Sequence, residues 1–320
     1  MAFGFICILF GFFFGSFEIS LKKFFLGNLS QLEKEILYEI RIPRVLLSAI
    51  VGAALGLAGA SLQGLFRNPL ADPGLIGVSA GAALGAVLSI VIFSNLIENT
   101  FFGIYLLPIS SVAGAFVVIF ILYSLSKGFI YDGVTYMLLI GIAINALASV
   151  GIGVLTFVSD DAQLRGLTFW MMGSLANAQW NLVIPSIFII LLSIFWIIPQ
   201  SRKIDIIQIG EIEASRLGIN VKKLKFIVIM SSALMVGVSV SISGMIGFIG
   251  LVIPHLVRLI GGVNHNYLLI GSAFLGASLL ILSDIISRIV IQPAELPVGL
   301  VTSAIGSPFF LWLVLRIKNS

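Results

Sequence analysis

The chain has 320 residues, 59% of them hydrophobic and only 10% charged, with a mean hydropathy of +1.16. A soluble domain carries about 25% charged residues, so a water-soluble fold of this length is excluded and the class is integral membrane protein. The net charge of +4 needs no nucleic acid to explain it, because basic residues in a membrane protein first report orientation. Cys7 is the only cysteine, which excludes an internal disulfide and a cysteine-based metal site.

Charge-poor stretches long enough to cross the hydrocarbon as helix, about 20 residues, recur along the chain. Barrel strands would instead run about 10 residues with alternating polarity. Residues 1–17 are apolar but lack a basic leading region and a small-residue cleavage pattern, so they read as the start of a first span rather than a signal peptide. Apolar runs and their Gly and Pro breakers then predict spans over 1–20, 45–66, 75–94, 101–126, 133–158, 180–199, 226–243, 245–260, 267–290 and 297–315. Residues 160–175 predict an extra short helix lying at the surface, and the eighth span is too short to cross comfortably unless broken or tilted. The fold class is an all-α membrane protein of about ten transmembrane helices.

Ten spans put both termini on one side. The even-numbered connections and the C-terminus hold Arg67, Lys127, Arg202, Lys203, Arg216, Lys222, Lys223, Lys225, Arg258, Arg316 and Lys318, eleven of the eighteen basic residues. That side is expected to face the cytoplasm.

Between the second and third spans stands FRNPLADPG, Phe66 to Gly74. Pro69 and Pro73 stop helix continuation and stiffen the turn. Asp72 can cap the following helix with Pro73 at its first position, and Asn68 suits a turn in which it bonds its own backbone.

Gly52, Gly59 and Pro69 recur in spacing as Gly237, Gly244 and Pro254, 185 residues later. The second span thereby aligns with the seventh. An offset of five spans is odd, so two five-helix copies would cross the membrane in opposite senses, a transporter feature. The whole of 1–320 reads as one permease domain, with halves 1–158 and 180–320. Gly52, Gly56 and Gly59, with Gly81 and Gly85, allow close helix approach.

The chain lacks the G-x-x-x-x-G-K-[ST] phosphate loop. His255 and His265 are not at metal-ligand spacing with acids, and no Ser/His/Asp set shares a helix face, so an enzyme reading has no support. Asp284 is the one charge near the interior of a span. It lies four residues before Arg288, a pair that can neutralise itself. The strongest polar feature is Gly210 to Lys225, GEIEASRLGINVKKLK. Glu211 and Glu213 open a short helix, where acids suit the dipole, Gly218 can end it in the left-handed conformation, and Ile212, Leu217 and Ile219 give it apolar knobs. Such a segment either hugs the membrane or docks a cytoplasmic partner.

RIPR before the second span, FRNPLADPGLIG after it, the E-A-x-x-L-G of Glu213 to Gly218, GFIGLVIPHLVRL and AELPVGLVTSAIGSPFF together resemble the FecCD/BtuC-type permeases. These are the membrane subunits of ABC importers for iron–siderophores, haem and vitamin B12. FRNPLADPGLIGVSAGAALGA and SDDAQLRGLTFWMMGSL look most like haem permeases. The chain departs from the family at its start, where members usually carry a longer, more basic segment.

The resemblance implies a type II ABC importer permease fold in the bacterial inner membrane. Two ten-helix copies would surround a central pathway, with two ATPase subunits below and a periplasmic binding protein above. ATP and Mg would belong to the ATPase, and haem or another iron chelate would be the cargo. It further implies a cytoplasmic gate at Asn68 and Leu70 with Val134 and Thr135, an ATPase-coupling segment at Glu211, Glu213, Ala214, Leu217 and Gly218 within 201–225, and binding-protein docking by Arg41, Arg44 and Arg288. The rival classes are an ion-coupled carrier that uses the inverted repeat, which buried carboxylates would favour, and a membrane scaffold.

Overall fold

The computed structural model describes residues 2–14, 20–94, 103–126 and 133–318. Helix α1 is Ala2–Phe13, and a short α2, Leu21–Phe25, follows. α3 runs Gln31–Phe66, capped at its start by Ser30 and Glu33 in a reciprocal capping box and widened into a π-helical segment over Ile36–Arg41. Then come α4 (Val78–Ile92), α5 (Gly103–Ser126), α6 (Gly133–Val158), α7 (Asp161–Met171) and α8 (Trp180–Ile197). After these come α9 (Ser201–Ile207), α10 (Glu211–Arg216), α11 (Val221–Ser243), α12 (Ile249–Gly261), α13 (His265–Ile289) and α14 (Val298–Lys318). Each of the ten expected spans holds a helix, and α7 is the expected extra one.

Among the described residues, six helices are long and apolar enough to cross a membrane: Gln31–Phe66, Gly103–Leu125, Tyr136–Val158, Trp180–Ile207, Val221–Ser243 and His265–Ile289. α4 and α12 are apolar but short for local reasons. α4 follows a 3-10 turn, Pro73–Ile76, and a left-handed Gly77 at φ 86°. α12 opens at Phe248, a non-glycine residue at φ 66°. Its 13 residues extend only about 20 Å, against a hydrocarbon core of about 30 Å.

α3 and α11 form the centre, and their apolar windows are mostly buried by protein. α3 packs on α11, α12 and α13, while α11 packs on α3, α4, α5 and α8. An offset of five spans exchanges α11, α12 and α13 with α3, α4 and α5, but α8 breaks the exchange: it packs on both α3 and α11, whereas its counterpart α1 packs mainly on α13. The motif spacing does not superpose on equivalent positions: Gly59 lies inside α3 whereas Gly244 ends α11 at φ 67°, and Pro69 lies in a turn whereas Pro254 lies inside α12.

Bare backbones permit the closest crossings. A Cβ on Gly52 would overlap the Gly276 carbonyl, and one on Gly276 would overlap that of Gly52. α3 and α13 therefore touch backbone to backbone, as small residues allow in lipid, where dispersion replaces the hydrophobic effect between helices. The bundle has two ends. One, the basic end, carries the turn after α3 and the segment 198–220. The other carries α7, the turn 244–248 and the loop 290–297.

Candidate functional site

At the basic end α3 stops at Arg67, which is left-handed at φ 52°. The N–H groups of Arg67 and Asn68 still reach back to the carbonyls of Gly64 (3.2 Å) and Gln63 (3.1 Å). Asn68 Oδ1 accepts from the Leu70 N–H at 2.9 Å, so the expected self-bonding turn is present. Asn68 and Leu70 are both exposed. Asp72 accepts from the Gly74 N–H at 2.7 Å and Pro73 stands at the first position, but the helix they start is the 3-10 turn rather than α4 itself. Desolvation in the packed turn pushes the Asp72 carboxyl above the usual carboxylate range, and the Gly74 N–H pulls the other way. The Gly74 carbonyl accepts from Asn145 Nδ2 of α6 at 3.1 Å, which anchors the turn sideways. Val134 and Thr135 begin α6, and their side chains lie outside the described residues.

The segment after α9 forms the short helix that the sequence predicts. α10 carries Glu211 and Glu213 in its first turn, and Gly218 follows at φ 86°. Ala214 is fully buried against the core, while Ile212 and Leu217 point outward at 47% and 64% exposure. Lys225 of α11 pairs with Glu211 at 2.6 Å and fixes the base of the helix. The result is a short helix anchored on one side, with Ile212 and Leu217 exposed among charged groups on the other.

The opposite end departs from expectation. Arg41, Arg44 and Arg288 are 4%, 5% and 5% exposed, so they are not presented to a partner as sequence reasoning placed them. Each is taken up inside the chain. Arg44 Nε meets Asp284 Oδ1 at 2.8 Å, and its NH1 meets Glu295 at 2.9 Å. Arg288 meets Asp284 Oδ2 at 3.1 Å, which is the expected i,i+4 pair. Arg41 donates to the Phe12 carbonyl at 2.9 Å. Buried guanidiniums need such partners, because an unpaired buried charge is severely destabilising. The cluster ties α1, α3, α13 and the loop before α14 together.

Beside it opens a cavity of about 780 Å³. α7 forms one wall with Asp160, Gln163, Phe169 and Trp170. The ends of α4 and α11 supply Ser94 and Ser243, and the loops supply Asn177 and Glu295. Among the described residues its lining holds two carboxylates, several amides and hydroxyls, and aromatic faces, without a basic side chain. Asp160 and Gln163 cap α7 reciprocally, and Gln163 also donates to the Val91 carbonyl at 3.3 Å, so this wall is held to α4. The cavity was missed from sequence. Its residues lie in segments whose convergence no spacing reports, although two of the family-like motifs, SDDAQLRGLTFWMMGSL and AELPVG, run through it.

Comparison with known proteins decides the class. The model of the FecCD transport family matches residues 3–316. The chain belongs to the FecCD transport family. The hemin transport system permease protein HmuU of Yersinia pestis is 42% identical over 305 residues, covering 95% of this chain and 90% of that one. The vitamin B12 import system permease BtuC of Escherichia coli O9:H4 is 38% identical over 285 residues, covering 88% and 84%. A solved metal-chelate type ABC transporter in an inward-facing conformation superposes with a TM-score of 0.88 at 31% identity, over 98% of this chain and 97% of that one. PsaBC from Streptococcus pneumoniae, at 17% identity and a TM-score of 0.54, shares the fold alone.

This FecCD chain is therefore a membrane permease of the ABC importer class that serves metal chelates, haem or vitamin B12, with the type II permease fold, and it is a transport subunit rather than a catalytic one. The rival ion-coupled carrier finds no support. Asp284, the carboxylate near the interior of a span, is paired with two arginines.

Proposed function

We propose that this permease carries haem, or a closely related iron chelate, inward across the bacterial inner membrane by alternating access. The observation that carries the substrate is the 42% identity to a hemin permease over 95% of the chain. Vitamin B12 is the second reading, favoured by the 38% identity to BtuC. A second copy of this chain completes the pathway, and siderophore-bound iron is a further cargo within reach of the same architecture.

In this reading the basic end faces the cytoplasm together with both termini. An ATPase subunit, which binds ATP and Mg, seats on α10. It grips Leu217 and Ile212, the apolar groups that this helix leaves in water, with Glu211, Glu213, Ala214 and Gly218 setting the shape of the knob. The turn bearing Asn68 and Leu70 closes the inner side of the pathway together with Val134 and Thr135. A periplasmic binding protein delivers cargo at the other end. Arg41, Arg44 and Arg288 brace that surface from beneath, and the 780 Å³ cavity receives the ligand. Its aromatic and amide lining suits a flat macrocycle with a polar rim, since such pockets bind by apolar area and orient by a few polar groups.

The substrate is tested by reconstituting the permease with its ATPase and binding protein in liposomes and offering haem and cyanocobalamin in competition. Haem uptake that cobalamin does not inhibit supports the first reading. Cobalamin uptake that excludes haem replaces it with the second.

A further inference from the structure

The segment that leads into α10 is tied both to the last turn of α3 and to the start of α13. Gln208, two residues before Gly210, donates from Nε2 to the Gly64 carbonyl at 2.7 Å and to the Ile204 carbonyl at 2.9 Å. The same Gly64 carbonyl accepts from the Arg67 N–H, so it sits at the root of the Phe66–Gly74 turn. Three residues earlier Asp205 Oδ1 accepts from the His265 backbone N–H at 3.0 Å and lies 2.6 Å from His265 Nδ1. His265 is 5% exposed and begins α13. The three elements meet without slack: a Cβ on Gly64 would overlap both the His265 ring and the Ile204 side chain. Ser201 and Asn266 close a further hydrogen bond between α9 and α13.

We infer that Asp205 and Gln208 are positioning residues that strap α9 to α3 and α13, so that a displacement of α10 is passed to the turn carrying Asn68 and Leu70. The strap joins the two regions to which the importer reading gives ATPase docking and gating, and the inference rests on that reading. Its physical content is a short lever. α10 follows Gln208 after one residue and Gly210, whose φ of 130° glycine adopts without penalty. Asp205 lies near the end of a helix continuous with α8 and Gln208 caps that end, three residues on and so beside it on the surface. Without the strap, α10 would still hold an ATPase through its own exposed face, but its movement would dissipate before reaching α3. Coupling between distant sites requires such a shared element with differential contacts in its two states.

The test uses the full transporter, permease with ATPase and binding protein, in liposomes. It compares the parent with Asp205→Ala/Gln208→Met, which removes both grips, and with Asp205→Asn, which keeps an acceptor for the His265 N–H. The readouts are ATP turnover, cargo moved per ATP, and nucleotide-dependent crosslinking of Asn68→Cys in a Cys7→Ser background. The double variant should keep ATP turnover while cargo per ATP falls roughly tenfold, from the loss of two hydrogen-bonded grips, and the Asn68→Cys crosslink should cease to follow nucleotide. Asp205→Asn should stay close to the parent. A parent that neither hydrolyses ATP nor moves cargo would overturn the importer reading itself. Parent-like cargo per ATP in the double variant, or in the exposed Gln208→Met alone should the double variant not assemble, would overturn the strap.

Discussion

The two ends of the bundle treat charge in opposite ways. At the end bearing α7 and the loop 290–297, Arg44, Asp284 and Arg288 lie at 5%, 1% and 5% exposure and pair with one another. At the basic end, Glu213, Arg216 and most of the lysines of 201–225 lie in water, and the apolar Ile212 and Leu217 stand exposed among them. Charge that is rare and buried holds a membrane fold together. Apolar surface that stands out from a charged, water-facing segment is the feature on which the proposed ATPase docking rests. Position along the chain does not distinguish these cases, and the arginines of RIPR show it: they read as an exposed pair three residues apart, yet both turn inward.

The sharpest way to break this comparison is at Asp284. Asp284→Asn leaves two buried guanidiniums facing a neutral amide, and breaking a buried pair costs about 3–5 kcal/mol. Thermal unfolding of the purified permease in detergent should show a large loss, whereas Arg288→Met combined with Asp284→Leu and Arg44→Met should recover much of it, because a matched apolar replacement removes the unpaired charge along with its partner. If Asp284→Asn unfolds like the parent, the cluster is incidental to stability.

At the basic end the largest effect falls on association instead. Leu217→Asp puts a charge where an apolar anchor docks, a position type worth about 2 kcal/mol or more at an interface. Recovery of the ATPase on affinity purification should drop severely while the melting temperature of the permease alone stays put. A loss of folding with no selective loss of the ATPase would place Leu217 with the structural residues. Cysteines at Asn68 and Leu70, introduced singly in a Cys7→Ser background, should crosslink between two copies in one nucleotide state and less in another. Yields that never change would remove the gate. The smallest effect is expected at the α7 cap. Asp160→Ala forfeits the bond to the Gln163 N–H, 2.8 Å long, at about 1 kcal/mol. Hydrogen exchange should rise in the first turn of α7 and leave α3 and α11 unchanged.

Much of the architecture was legible because it is local. Apolar runs and their proline and glycine breakers located every span, Gly218 announced the end of α10 through its need for a left-handed backbone, and Asp160 with Gln163 spelled the start of α7. What stayed hidden is assembled across distance. Arg44 and Asp284 are 240 residues apart, and nothing within either motif points to the other. Likewise the cavity draws Asp160 from one connection and Glu295 from another, and the His265–Asp205 contact joins two elements 60 residues apart. The repeat is an intermediate case. Its motif spacing fell on inequivalent positions, and the exchange of neighbours between α3 and α11 holds for α4, α5, α12 and α13 but not for α8, since packing is set by dispersion and close backbone approach rather than by motif spacing.

Haem import is tested most directly by accumulation of haem inside liposomes that contain this permease and its ATPase, with the binding protein outside and ATP within. Uptake should require hydrolysable ATP and both partner proteins, and should collapse in Leu217→Asp. Uptake driven by an ion gradient in the absence of the ATPase would contradict that requirement.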